Sequence, residues 1–600
     1  MSKTGSISVN TENIFPIIKK FLYSDHEIFL RELVSNATDA CSKMKTLASV
    51  GEFKGETGDF KISITLDETA KTLTISDNGI GMTADEIEKY INQLAFSGAE
   101  EFVKQYKDKA DANVIGHFGL GFYSAFMVAS KVEINTLSWK ADAAPAHWEC
   151  DGSTQFTISE GTRTERGTDI ILHLAEDSTE FADKYKISQL LEKYCKFLPV
   201  PIAFDGKTIN EEKPLWMSKP ADLKDEDYIK FYQTLYPFAQ APLFWIHINV
   251  DYPFNLTGIL YFPKVDSAIE ADKHKVQLYS NQVFVTDNVK DILPEFLMLL
   301  HGVIDSPDIP LNVSRSSLQS DGSVKKITGH ITKKVADKLN ELFKNNRNDF
   351  ETKWANIDLF VKYGMLSDEK FAEKAKDFCL LQTTANSYST IADYIEKIKP
   401  LQTDKDGKTI LLYTNHADNE YTYLKAAESK GYEVVKLEGP LDNHFTGYIE
   451  QHYENVQCKR VDADAVDRLI PQESSNIALL NDEEAKQLVT LFEGVNTNNE
   501  LKFATENLNP GDALITITES EYDRRMREMS KMNGFNMFGA MPVNYRAVLN
   551  ANHGKAKKLL EAGDAGKALA ARALNLALLS KGMLRGEALN SYISNELENL

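Results

Sequence analysis

The sequence predicts a multidomain protein of mixed α+β and α/β class, and three observations carry that prediction. The chain has 600 residues, too many for one hydrophobic core and suited to three or four. Runs alternating apolar and polar residues, the period of a strand, recur between stretches of helical period. The final stretch, Ala556 to Leu600, is rich in Ala and Leu at helical spacing, with Leu569, Ala573, Leu576, Ala577 and Leu584 in register.

In chain order, Ile14 to Met44 reads as helical. Lys61 to Leu66, Leu73 to Ser76, Val132 to Asn135 and Asp169 to Leu172 alternate as strands. This pattern ends at Leu198-Pro199-Val200-Pro201. A polar run with prolines, Asn210 to Pro220, and the acidic Asp222 to Asp227 read as a short linker. A second α/β region has strands at Phe244 to Val250, Gly258 to Phe262 and Gln277 to Val285. Helices follow to about residue 400, then a strand (Thr409 to Tyr413), a helix (Leu424 to Ser429) and a strand (Tyr432 to Lys436). Near Asn481 the chain turns polar and a third region begins. The boundaries drawn on this basis are 1–208, a linker at 209–226, 227–480 and 481–600.

Charge and cysteine usage narrow the function classes. Lys and Arg number 67 against 88 Asp and Glu, a net charge of −21. Such a surface repels phosphate backbones, which argues against nucleic-acid and anionic-membrane partners. Five cysteines are scattered with no Cys-x-x-Cys pair, a pattern of neither a disulfide framework nor a zinc site. The N-terminus has no apolar signal region, and the most apolar run, Ile292 to Ile304, is broken by Pro294, Glu295 and His301. The expectation is a cytoplasmic protein without a membrane span.

Four segments of the first region converge on one chemistry. In Glu32-Leu33-Val34-Ser35-Asn36-Ala37-Thr38-Asp39-Ala40, Glu32 and Asn36 stand four apart and share a helix face. A carboxylate there can polarise water, and an amide oxygen suits Mg²⁺. Asp77-Asn78-Gly79-Ile80-Gly81-Met82 follows a strand. Its Asp can accept from an exocyclic amine, and its glycines let a ring approach the backbone. Gly116-His117-Phe118-Gly119-Leu120-Gly121-Phe122 precedes a helix and can hold phosphate on backbone N–H groups. Gly167-Thr168-Asp169-Ile170 offers a hydroxyl near Asp77. Each segment alone is commonplace, and a lone Gly-x-x-Gly-x-Gly is more often a turn than a phosphate site. Their combination in this order is specific.

Together the four resemble the boxes of the Bergerat-fold (GHKL) ATPases, which include gyrase-type topoisomerases, MutL-type proteins, sensor histidine kinases and the heat-shock protein 90 chaperones. The flanking segments Asn13-Ile14-Phe15-Pro16, Tyr23 to Leu33, Phe122 to Phe126, Gly258 to Pro263, Asn281 to Val285 and Leu311 to Gln319 resemble the chaperone branch, in its bacterial type. That resemblance implies an N-terminal Bergerat-fold α/β sandwich ATPase, an α/β middle domain and a mainly helical C-terminal dimerisation domain.

It also implies roles. Glu32 would activate water, Asn36 would hold Mg²⁺ beside the ATP phosphates, and Asp77 would read the adenine amine with Thr168. Gly81 and Met82 would line the base. Gly119, Gly121 and Phe122 would lie near the phosphates, and Asp39 and Lys43 would belong to the same site. Arg315, from the second domain, would stabilise γ-phosphate charge with Asn312 and Gln319 in support. ATP and Mg²⁺ are the implied ligands. The implied partners are a second copy of the chain, non-native client proteins and other chaperones. The implied function is an ATP-dependent chaperone with slow hydrolysis in an open–closed dimer cycle.

The sequence departs from the family in the segment expected to be a mobile lid, about 90–120. Phe96 stands where a lysine is common, Glu100 lies where a second lysine is usual, and His117 replaces glutamine. Near the C-terminus Met526, Met529, Met532 and Phe535 cluster, as either core filling or a client-contacting patch. Two rival readings are a DNA-acting ATPase of the topoisomerase or mismatch-repair kind, which −21 opposes, and an ATP-binding interaction protein without hydrolysis.

Overall fold

The computed structural model describes residues 25–93, 98–106, 115–116, 119–264, 276–290, 292–312, 322–471, 478–532 and 544–598. The chain forms two compact units that divide between Val335 and Ala336.

In the first unit, α1 (Ile28–Ser49) lies against an eight-stranded sheet. Its strands are β1 (Ile62–Asp67), β2 (Thr72–Asp77), β3 (Ala129–Leu137), β4 (Ala146–Cys150), β5 (Phe156–Glu160), β6 (Gly167–Leu174), β7 (Ile202–Phe204) and β8 (Lys207–Thr208). Their order is β5-β4-β3-β6-β2-β1-β7-β8, antiparallel except where β7 joins β1 in parallel. Leu30, Leu33, Val34, Ala37 and Cys41 recur at helical spacing on α1. They pack on Ile64, Ile75, Val132, Ile134 and Leu172, which recur at strand spacing on the sheet. The short helices α2 (Ala84–Tyr90) and α3 (Gly98–Tyr106) follow β2. A capping box between Thr83 and Glu86 starts α2. Helix α4 (Lys184–Cys195) completes the layer beside α1.

Helix α5 (Asp225–Leu235) and a second sheet follow in the same unit. Its strands are β9 (Phe244–Val250), β10 (Leu256–Phe262), β11 (Val276–Ser280), β12 (Val283–Thr286) and β13 (His301–Asp305), in the order β12-β11-β13-β10-β9. Phe197, Trp216, Phe231, Tyr232, Tyr261 and Tyr279 form an aromatic core between helix and sheet. The run Gln277 to Val285, expected as one strand, is a hairpin. Asn281 and Gln282 both take positive φ, 51° and 65°, the conformation that matches a tight turn to strand twist. Gln is not a signature residue for that turn, so the alternation reads straight through it.

Helix α6 (Gly322–Asn345) spans the division. In the second unit come α7 (Arg347–Ser367), α8 (Glu369–Ala375), the pair β14 (Leu380–Gln382) and β15 (Tyr388–Thr390), and α9 (Ile391–Gln402). A parallel sheet ordered β17-β16-β18 follows, from β16 (Thr409–Thr414), β17 (Val434–Lys436) and β18 (Val456–Arg460). The helices α10 (Tyr421–Ser429) and α11 (Asp442–His452) connect its strands. Every residue of β16 is buried, as a central parallel strand covered on both faces requires. After α12 (Val466–Leu469) and α13 (Asp482–Val495) the chain is mainly helical. It has α14 (Glu521–Met532), α15 (Gly554–Glu561), α16 (Asp564–Ser580) and α17 (Gly586–Glu598) around a small sheet of β19 (Leu501–Glu506), β20 (Ile515–Glu519) and β21 (Tyr545–Asn550). Leu569, Leu576 and Leu579 of α16 and Ile593 and Leu597 of α17 are exposed.

In the second unit Arg460, Arg527 and Lys581 meet the carboxylates of Glu420, Asp462 and Glu519, all three nearly inaccessible to solvent. All five cysteines are free and buried. No helix among the described residues is long and apolar enough to cross a membrane.

Candidate functional site

The packing of α1 fixes one wall of a cavity. With its apolar stripe turned to the core, Glu32, Asn36, Asp39 and Lys43 fall on an adjacent face and line a cavity of about 500 Å³. The sheet supplies the floor through Asp77, Thr168, Ile134 and Ile170. Gly81 and Met82 close one end, and Gly119, Gly121 and Phe122 the other. All the site residues predicted in the first region therefore border a single space, although up to 136 positions separate them.

At the Gly81 end, Asp77 is 6% exposed, and its Oδ1 accepts the N–H of Gly79 at 2.8 Å. Burial pushes its carboxyl up to about 7, against the opposing pull of that N–H and of Arg163. Asp77 and Thr168 are cross-strand partners. The Thr136 hydroxyl lies 3.0 Å from that of Thr168, donates to the carbonyl of Gly167 and accepts the N–H of Met82 at 2.9 Å. Gly81 has φ +61°, and a Cβ there would stand 1.9 Å from the Leu137 carbonyl oxygen. Only glycine brings the backbone this close.

At the other end, Glu32 is 4% exposed, and its Oε1 receives Arg31 Nη2 at 2.9 Å and Nε at 3.2 Å. A Cβ on Gly121 would stand 2.7 Å from Glu32 Oε2, so bare backbone faces this carboxylate. Asp39 accepts the N–H groups of Ile115 and Gly116, each at 2.7 Å, and so ties the glycine segment to α1. Burial lowers the pKa of Lys43, which the charge of Asp39 opposes.

Other expectations fall differently. Of the segment about 90–120 expected to be a lid, α3 contributes Gly98, Phe102, Gln105 and Tyr106 to the cavity. Lys89 pairs with Glu101 at 2.8 Å, and the Tyr106 hydroxyl donates to Glu52. Phe96, His117, Arg315, Gln319 and Phe535 lie outside the described residues, as do the side chains of Glu100, Met529 and Met532. Asn312 is half-buried beyond β13, and Met526 is exposed on α14.

Three supports of the site escaped the sequence reading. Thr136 lies one residue past the alternating run Val132 to Asn135, in the strand that extends to Leu137. Arg163 Nη2 donates to the Asp77 carbonyl at 2.8 Å, and Arg166 Nε to the Asn78 carbonyl at 3.1 Å. No motif singles out either arginine, and the pairing of β6 with β2 brings them to Asp77. An acceptor with raised affinity for protons, a hydroxyl network and a glycine-lined carboxylate together suit a purine at one end and phosphates with an in-line water at the other.

Comparison with known proteins agrees with this chemistry. Residues 23–163 match the family described as histidine kinase-, DNA gyrase B- and HSP90-like ATPase, and residues 203–562 match the Hsp90 protein family. The chain belongs to the Hsp90 family. It is 53% identical to chaperone protein HtpG of Porphyromonas gingivalis strain W83, over 92% of this chain and 84% of that protein. It is 54% identical to chaperone protein HtpG of Bacteroides thetaiotaomicron, over 94% and 85%. The HtpG of Desulfitobacterium hafniense is 33% identical over 81% and 80%. As an Hsp90-family ATPase, the chain binds nucleotide through the domain that holds this cavity.

Proposed function

We propose that the chain is an ATP-dependent chaperone that remodels non-native proteins through a slow hydrolytic cycle. The observation that carries this reading is the single cavity with Asp77 and Thr168 at one end and Glu32 facing bare glycine backbone at the other. The matched relatives are chaperones, which favours this branch over the DNA-acting one.

In this reading Asp77 accepts the adenine amine, Thr168 assists it, and Gly81 and Met82 border the ring. Gly119, Gly121 and Phe122 frame the phosphates, with Asp39 and Lys43 holding the surrounding segments. Glu32 takes the proton of the attacking water, and Arg31 at 2.9 Å keeps that carboxylate oriented. The oxygen-donor set beside Gly121 fits Mg²⁺ better than a softer ion, and Asn36 is the residue to hold it. Bound there, Mg²⁺ would neutralise phosphate charge. Arg315, supported by Asn312 and Gln319, adds positive charge at the γ-phosphate, and its arrival makes turnover slow.

The division 1–208, 209–226, 227–480 and 481–600 assigns these tasks to an ATP-binding domain, a linker, a middle domain bearing Arg315 and a C-terminal domain. The exposed leucines of α16 and apolar residues of α17 suit a symmetric dimer. Met526, with Met529, Met532 and Phe535 nearby in sequence, suits adaptable contact with clients. A cytoplasmic location and cooperation with other chaperones complete the reading.

The test measures ATP turnover and suppression of aggregation of a denatured protein by wild type, Glu32→Ala and Arg315→Ala. Slow wild-type turnover, near-abolished in Glu32→Ala with nucleotide still bound and strongly reduced in Arg315→Ala, is expected. Absence of turnover in wild type overturns the assignment.

A further inference from the structure

The eight-stranded sheet has a second polar cluster on the face turned away from α1. Strand alternation buries Val132, Ile134, Trp148 and Leu172. It therefore turns Lys131, Glu133, His147, Glu149 and His173 outward on the adjacent strands β4, β3 and β6. Glu133 and Glu149 are direct cross-strand partners, a register in which like charges repel. A cation bridges them: Lys131 Nζ stands 3.0 Å from Glu133 Oε1 and 2.7 Å from Glu149 Oε2.

The same two carboxylates share their space with an imidazole. His147 Nε2 lies 3.2 Å from Glu133 Oε2, and ligand atoms of Glu133, His147 and Glu149 all fall within 4.8 Å of one another. One ion held at roughly 2.0–2.2 Å from each donor sets tetrahedral donors about 3.4 Å apart, so these side chains draw in by roughly an ångström to close on it. The ring is also oriented from behind. His147 Nδ1 lies 3.3 Å from Ser159 Oγ, so a proton on Nδ1 leaves Nε2 as the electron-pair donor. His173 Nε2 lies 2.8 Å from Glu133 Oε1 and steadies the carboxylate. Metal ligands are held by outer hydrogen-bond partners in this manner.

We propose that Glu133, His147 and Glu149 bind a divalent transition metal of zinc-like chemistry, with His173 and Ser159 as outer support and Lys131 as the cation displaced. One imidazole and two carboxylates suit such an ion better than Mg²⁺, which favours oxygen donors and keeps its waters. Three protein donors on an open sheet face leave further positions to water. The site lies behind the nucleotide cavity, on the other side of the same strands.

Lys131 makes the proposal sharply testable, because removing it improves a metal site and harms a mere ion-pair network. The chelator-treated, nucleotide-free full chain is titrated with Zn²⁺ by calorimetry, with circular dichroism checking each variant's fold. Wild type is expected to bind one Zn²⁺ that His147→Ala and Glu149→Gln weaken at least about tenfold, and that His173→Ala weakens about 10- to 100-fold. Lys131→Ala is expected to bind more tightly than wild type and to gain thermal stability on adding Zn²⁺. Equal Zn²⁺ binding by wild type, His147→Ala and Glu149→Gln, or no tightening in Lys131→Ala, overturns the site.

Discussion

The nucleotide cavity and the ion cluster around Arg460 both bury charge, and they do so in opposite ways. In the cluster Arg460 contacts three carboxylates, at 2.9 Å from Asp462 Oδ2 and 3.4 Å from both Glu420 and Glu519. Lys581 adds a contact to Asp462, and Arg527 to Glu519. Burial raises the pKa of Asp462, yet Lys581 and Arg460 overcome it and hold the group below its usual range. Asp77, comparably buried, has the N–H of Gly79 and the charge of Arg163, and burial wins. Charge closed in by counter-charge joins elements of the fold, here β18, α10, β20, α14 and α16. Charge left partly uncompensated beside a cavity is prepared for a ligand.

Four substitutions test that contrast, in order of expected effect. Glu32→Ala should lower ATP turnover by about 10²- to 10⁴-fold, the usual worth of a general base, while nucleotide affinity measured by calorimetry stays near wild type. Full turnover in this variant would place the chemistry elsewhere. Arg460→Ala should cost about 3–5 kcal/mol in urea unfolding, since it strands buried carboxylates, and should leave nucleotide affinity unchanged. A parallel loss of affinity would merge the two regions into one system.

Asp77→Asn should weaken nucleotide binding by about 10- to 100-fold, as a charged hydrogen bond contributes about 1.5–3 kcal/mol. The same variant carries a pH signature. Between its ordinary 3.8 and about 7, Asp77 keeps its proton in the folded chain and loses it in the unfolded one. Its contribution to stability therefore falls as pH rises through that window and stays unfavourable above 7. Without nucleotide, Asp77→Asn should melt higher than wild type at pH 8 and near it at pH 4. The reverse order would remove burial as the cause of the shift. Thr168→Ala should have the smallest effect, about 1 kcal/mol or roughly fivefold in nucleotide affinity, and a loss as large as that of Asp77→Asn would make the hydroxyl an equal partner.

Legibility in the sequence followed the range of each interaction. The shared face of Glu32 and Asn36 is set by one helical turn, and the bounds of β9 at Phe244–Val250 by alternation within seven residues, so both were readable. Arg163 and Arg166 reach Asp77 and Asn78 across 86 and 88 positions, through a strand order that local pattern does not encode. Trp216 lies in a polar run with prolines, yet Phe197 at 4.7 Å and Tyr279 at 5.2 Å bury it completely. No local pattern singles out Arg460, because its partners Glu420 and Glu519 lie 40 and 59 positions away. Such networks are properties of the assembled fold.

The five buried cysteines carry a practical consequence. Burial raises every one of their thiol pKa values, with Cys195 and Cys379 near 12, and a thiol held protonated and inaccessible is a poor nucleophile. Maleimide dyes should therefore pass over the native chain. A single cysteine introduced on the surface, for example at Lys104 of α3, becomes a selective handle, and a fluorophore placed there reads directly whether this segment moves when nucleotide binds, without first stripping the protein of its own sulfur.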